Sequence, residues 1–402
     1  MTVIHQYLPT SPVVTIDVWI RAGAIAEPDE WSGMAHFLEH MIFKGTEQFP
    51  PGHFDHVIET CGGVANAATS HDYAHFFINV ASQYLEEGLY SLSELLLRAS
   101  IPDEEFVRER DVVLEELRQA QDDPDWVGYQ ALMESTYRAH PYGRSVLGTE
   151  TSLMGRSPDE MRQFHRMHYQ PENMTVVIVG DVELEKTLGL VRKTFTGFSP
   201  RVQPTVQYPV SDIPMAHIHR QEMGLSRVEQ ARLLMAWQGP GIDHLHEAYG
   251  LDLLSVALAG GRSARLVREL REERQLVHAV GSNFSLQRES SLFTVSAWLD
   301  PDHLDMVEAI IGDRLSELTE TAMSDSELSR YKCLLCNDYA FSTETANQLA
   351  GLYGYYNTIA EAKISTTYPA HIQSFQAEEL RALAQHYLSP QRYSAMIIKP
   401  LD

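Results

Sequence analysis

The stretch FSPRVQPTVQYPVSDIP, residues 198–214, carries prolines at 200, 204, 209 and 214 and divides the 402-residue chain nearly in half. Proline fixes φ and removes a backbone donor, so this density of breakers reads as an extended linker. A chain of this length also exceeds the usual ceiling for one hydrophobic core, which independently predicts two domains. Their expected bounds are 1–197 and 215–402.

Outward from the linker, the two sides repeat each other at an offset of about 217 positions. TIDVWIRAG (15–23) matches ARLLMAWQG (231–239), both alternating like half-buried strands that end in a glycine turn. GMAHFLEH (33–40) falls on GLDLLSVA (250–257), both with helical spacing. EMRQFHRMHYQP (160–171) resembles EELRALAQHYLSP (378–390), and each precedes an apolar strand, MTVVIVGD or YSAMIIKP. Strands alternate with long helices in both halves. The expected fold is therefore α+β, two homologous domains that each have one sheet covered by helices.

Composition narrows the function. The excess of 55 Asp+Glu over 31 Lys+Arg gives a net charge of −24, which repels a phosphate backbone and argues against nucleic acid. The longest apolar runs, such as 174–179, are strand-sized, so no membrane segment is expected. The first residues, MTVIHQYLPTSP, have neither a signal peptide's pattern nor a transit peptide's, so the expected compartment is the cytoplasm. Three cysteines are too few for a disulfide framework. Cys333 and Cys336 form a CxxC inside an apolar-periodic run and read as helix core rather than a metal or redox pair.

Chemistry concentrates in His36-Phe-Leu-Glu39-His40. On a helix, positions 36 and 40 project from one face a turn apart, close enough for two imidazoles to share one ion. Glu39 lies on nearly the same side, where a carboxylate can take a proton from metal-bound water. In the second half the aligned residues are Leu253, Val256 and Ala257, so only the first half carries this chemistry. Composition alone would produce such a motif in roughly one chain in ten, so a third ligand has to decide. RERDVVLEELRQA (108–120) offers Glu109 and Glu116, seven apart on one helix face. One can ligate while the other orients a ligand.

HFLEHMIFKGTEQFP (36–50) followed by ERDVVLEE (109–116) resembles the M16 family of inverzincin metallopeptidases, relatives of mitochondrial processing peptidase and pitrilysin. The resemblance is closest to subfamily B and covers essentially the whole chain; HPYGRSVLGT (140–149) and HYQPENMTVVIVGD (168–181) match further family blocks. It implies that each domain is a mainly antiparallel sheet and that the chain is half of a clamshell. It implies Zn²⁺, one per chain, on His36, His40 and Glu116, with Glu109 orienting a ligand and Glu39 as general base. The implied activity is that of a metalloendopeptidase acting on peptides or unfolded segments in an enclosed chamber, with water on zinc as the nucleophile.

By the same resemblance, CGGVANAATSHDYAHFFINV (61–80) is an edge strand to which substrate adds, with Asn66 and Ala67 binding it. AGGRSARLVRELREERQLVHAVGS (259–282) lacks the Gly-Lys-Ser/Thr of a phosphate loop. In the family this block holds the scissile carbonyl with Arg-x6-Tyr. Arg271 matches the arginine, but His278 stands where the tyrosine belongs. Either His278 substitutes, or a partner supplies the intact pair; the expected assembly is a homodimer, or a heterodimer with a paralogue. A peptide-maturation protease working only with such a partner and a non-catalytic scaffold subunit are the alternatives. From 103 to 125 ten acidic residues face three arginines, and such a wall beside the site would favour basic peptides.

Overall fold

The computed structural model describes residues 1–200, 202 and 215–401, so most of the linker expected at 198–214 lies outside the described residues. Among the described residues two five-stranded sheets form. The first contains β1 (Thr2–Tyr7), β2 (Val13–Ile20), β3 (Val64–Thr69), β4 (Ala74–Ala81) and β5 (Met174–Gly180), in the order β1-β5-β2-β4-β3. The second contains β6 (His219–Leu225), β7 (Ala231–Pro240), β8 (Val277–Leu286), β9 (Ser290–Leu299) and β10 (Ser394–Pro400), in the order β6-β10-β7-β9-β8. Among the described residues, each sheet has a single parallel pair, β1 with β5 and β6 with β10. The same order arises twice from segments that align in sequence, as the repeat predicts.

β2 shows why each sheet has helices on both faces. Its even and odd residues, from Val14 to Ile20, are all buried, including Asp17 and Trp19. Ile16 faces Gly88 of the helix Leu85–Arg98 on one side. On the other side Trp19 joins Val177 and Val179 of β5 against Ala346 and Ala350 of the helix Ala346–Ile359. Gly354 of that helix lies so close that a Cβ would stand 2.0 Å from Trp19 Nε1. In the second sheet, Gly128 of the helix Pro124–Thr136 packs on Leu234 and Ile398.

The compact units therefore differ from contiguous halves by an exchange. One unit holds Met1–Gln119, Ser342–Ser365 and the described part of 144–208; the other holds Ala120–Gly143 and the described parts of 209–341 and 366–402. Each sequence half lends one helix to the other's sheet, because a sheet apolar on two faces needs cover on both. The CxxC reading changes in one respect. Cys333 and Cys336 do lie on a helix, Asp325–Phe341, but Cys333 is exposed and Cys336 half-buried, so the pair is not core. Among the described residues no helix is long and apolar enough to cross a membrane.

Candidate metal centre

The helix Met34–Ile42 begins where Gly33 turns at φ +91. A Cβ there would lie 2.8 Å from Leu147 O and 2.9 Å from Gly148 Cα, so only glycine fits. Gly148 belongs to the block HPYGRSVLGT, which thus buttresses the start of this helix. Glu27, buried, satisfies two donors at the helix start: Oε2 accepts from Gly33 N–H at 3.0 Å and Oε1 from Ala35 N–H at 2.6 Å. Burial pushes its carboxyl up to about 8, against the pull of those two donors and of Arg144.

From this anchored helix the rings of His36 and His40 project one turn apart, their centroids separated by 4.9 Å. The long helix Asp103–Asp122 brings Glu116 to them, with Oε2 3.6 Å from His36 Nε2 and 3.4 Å from His40 Nε2. All three ligand atoms lie within 4.8 Å of one another. Atoms bound at ~2.0–2.1 Å to a tetrahedral zinc stand roughly 3.3 Å apart, so the donor set fits that ion in kind and spacing. Glu109, buried two turns before Glu116, faces the far side of His40: Oε1 accepts from Nδ1–H at 2.9 Å. In the neutral ring that bond selects the tautomer whose Nε2 lone pair is directed at the site.

The electrostatics are those of a cation site. Burial pushes His36 down to about 4, outweighing the attraction of Glu116, so its ring is the neutral, ligating form. Burial also acts to lower His40, but its bonds to Glu109 and Glu116 overcome this and raise it to about 9. Glu109 stays below the usual carboxylate range despite burial, because His40 and Lys44 both bond to it. Glu116 is lowered chiefly by its bond to His40. Two carboxylates around two imidazoles hold a proton where no metal is bound, and a metal ion would displace it.

Glu39, next to His40 and partly buried, accepts a hydrogen bond from Thr69 Oγ1 at 2.6 Å. Burial pushes its carboxyl up, opposed by Thr69 and His40 and aided by the charge of Glu116. A carboxylate pushed upward beside the cluster suits proton transfer.

The sequence profile described as insulinase (peptidase family M16) matches residues 2–150, and that of the peptidase M16 inactive domain matches residues 157–335. The chain belongs to the M16 peptidase family. Zinc protease PqqE of Helicobacter pylori is 27% identical to this M16 chain over 396 residues, covering 96% of the chain and 88% of that protein. The crystal structure of a protease from Helicobacter pylori, 26% identical, superposes with a TM-score of 0.91 over 99% of this chain and 97% of the other. Pitrilysin, 20% identical, shares the fold with a TM-score of 0.80 over 99% of this chain and 43% of its own.

The substrate residues expected in this M16 chain are placed differently from one another. β3 is an edge of its sheet, and there Asn66 Oδ1 accepts from Ala67 N–H at 2.9 Å. That donor therefore faces off the sheet rather than into the β3–β4 ladder. Arg271 lies on a π-helical segment, Val267–Glu273, with Nε and Nη2 bonded to Glu272 at 3.1 and 2.8 Å. His278 is exposed on β8, at a bulge between Val277 and Ala279 where the register shifts. Among the described residues no hydrogen bond joins Arg271 to His278. Two residues of the centre escape sequence reasoning, Lys44 and Thr69. Lys44, four positions after His40, follows the helical spacing that found the histidines, whereas Thr69 has no signal without the strand register.

Proposed function

We propose that this M16 chain is a zinc-dependent endopeptidase that hydrolyses peptides or unfolded segments and takes one Zn²⁺ per chain. The observation that carries this reading is the convergence of His36 Nε2, His40 Nε2 and Glu116 Oε2 beside a second carboxylate, Glu39. When bound there, zinc supplies a Lewis acid that acidifies water and polarises a carbonyl. Glu109 holds His40 in its ligating tautomer. Glu39 takes a proton from the attacking water and passes it to the leaving amine, while Thr69 keeps its carboxylate in place.

Substrate binds as an added strand along β3, using main-chain donors such as Ala67 N–H once Asn66 releases it. Arg271 and His278 hold the scissile carbonyl in a homodimer, or a paralogous subunit with an intact Arg/Tyr pair does so in a heterodimer. The histidine at 278, where the family has tyrosine, favours the second assembly. High activity from the pure chain, abolished by changing Arg271, would contradict it. The acidic helix 103–122 biases the site toward basic peptides, an effect that salt weakens. Three free cysteines suit a reducing, cytoplasmic setting.

Cleavage of a peptide library, with and without candidate paralogues, tests the reading. The zinc-loaded chain is expected to cut internal bonds, and a chelator to stop it. Glu39→Gln should keep the metal and lose turnover ~10²–10⁴-fold. Absence of cleavage under every pairing, or cleavage indifferent to Glu39→Gln, overturns it.

A further inference from the structure

Glu109 and Glu116 lie two turns apart on the same face of one helix, and both carry a carboxylate that a metal ion could accept. What distinguishes them is their partners. Both oxygens of Glu109 are engaged, Oε1 by His40 Nδ1 at 2.9 Å and Oε2 by Lys44 Nζ at 2.6 Å. Among the described residues, Glu116 has only the two imidazole Nε2 atoms against its Oε2, and its side chain is 45% exposed against 10% for Glu109. Lys44 itself lies just past the end of the helix Met34–Ile42, its side chain 28% exposed. The ammonium therefore holds the carboxylate oxygen that the imidazole does not.

We infer that Lys44 is a positioning residue for the metal centre: it pins Glu109 so that this carboxylate orients His40 instead of competing with Glu116 for the ion. This rests on the zinc-site reading of His36, His40 and Glu116. Remote groups that orient a ligating histidine typically govern metal affinity by 10–100-fold. The positioning role also has a sign that simple electrostatics would not give. Removing a cation near a dication site should, by Coulomb repulsion alone, tighten binding; loss of the clamp should weaken it.

The test is zinc affinity by competition with a chromophoric chelator, which requires no activity. Lys44→Met is expected to weaken zinc binding ~10–100-fold, whereas Lys44→Arg, which keeps the charge and reaches the same oxygen, should stay within about threefold. If Lys44 acts through Glu109, then Lys44→Met combined with Glu109→Gln should bind no worse than Glu109→Gln alone. Unchanged or tighter binding in Lys44→Met, or additive losses in the double variant, overturns the proposal. Lys44→Gln is the second neutral variant, and only variants with the wild-type near-ultraviolet circular dichroism are compared. Loss of the fold in both neutral variants would make Lys44 a structural residue and also overturn it. Failure of the wild type to bind zinc would count against the zinc site itself, whereas wild-type affinity in Lys44→Met would count against Lys44 alone.

Discussion

The helix Pro158–His168 packs behind the metal-site helix Met34–Ile42 and carries two buried histidines whose titration can be read as stability. His165, 5% exposed, donates from Nε2–H to Leu96 C=O at 2.7 Å, and burial pushes it down to about 4. His168, 7% exposed, is likewise pushed down to about 4. Between the unfolded value near 6.5 and the folded value, the unfolded chain binds more protons, so acid favours unfolding. The stabilisation is complete above about pH 6.5 and is lost as pH falls toward 4. At 1.36 kcal/mol per pH unit, each histidine forfeits about 2 kcal/mol by pH 5 and about 3 kcal/mol by pH 4. His165→Gln removes one titration while its amide can still donate to Leu96. Urea unfolding in chelator at pH 7.5 and pH 5.0, followed by far-ultraviolet circular dichroism, should show the variant losing about 2 kcal/mol less than the wild type on acidification. Equal losses would show that His165 is not held neutral in the folded chain.

Thr69→Val should lower kcat about tenfold with zinc content unchanged, since Glu39 loses its fixed donor; Thr69→Ser should recover most of the loss, and an unaltered kcat in Thr69→Val would release Thr69 from this role. Ala67→Pro removes a donor that faces off the sheet edge, so the protein should fold normally while KM for peptides rises; an unchanged KM would place substrate elsewhere. Gly354→Ala drives a Cβ into Trp19, displacing the indole from Val177 and Val179, and should cost about 1–3 kcal/mol despite alanine's better helix propensity. A thermal midpoint at or above that of the wild type would mean that the helix Ala346–Ile359 does not seat on the first sheet.

Much of this architecture is legible in the sequence because the repeat preserves strand patterns. TIDVWIRAG and ARLLMAWQG become the central strands β2 and β7, and the strands after each His-Tyr become β5 and β10. The exchange of helices 124–136 and 346–359 is not legible. Periodicity says which face of a helix is apolar but not which sheet that face will cover. At the site, helical spacing alone finds His36, Glu39 and His40. It leaves Glu109 and Glu116 equivalent, and only the placement of Lys44 and of the His40 ring distinguishes them. Thr69 meets Glu39 through tertiary packing of β3 against the helix, which no local pattern encodes. Arg271 matches a family motif in sequence and His278 occupies its tyrosine position, yet a π-helical segment and a bulge determine where their side chains lie.

Whether His36, His40 and Glu116 hold a zinc ion is read from the zinc content of the purified, zinc-equilibrated chain, measured by mass spectrometry of the metal. About one zinc per chain is expected for the wild type, falling well below that in His40→Ala with unchanged circular dichroism. A wild-type chain that retains no zinc, or a His40→Ala variant that retains it fully, would rule out this metal site.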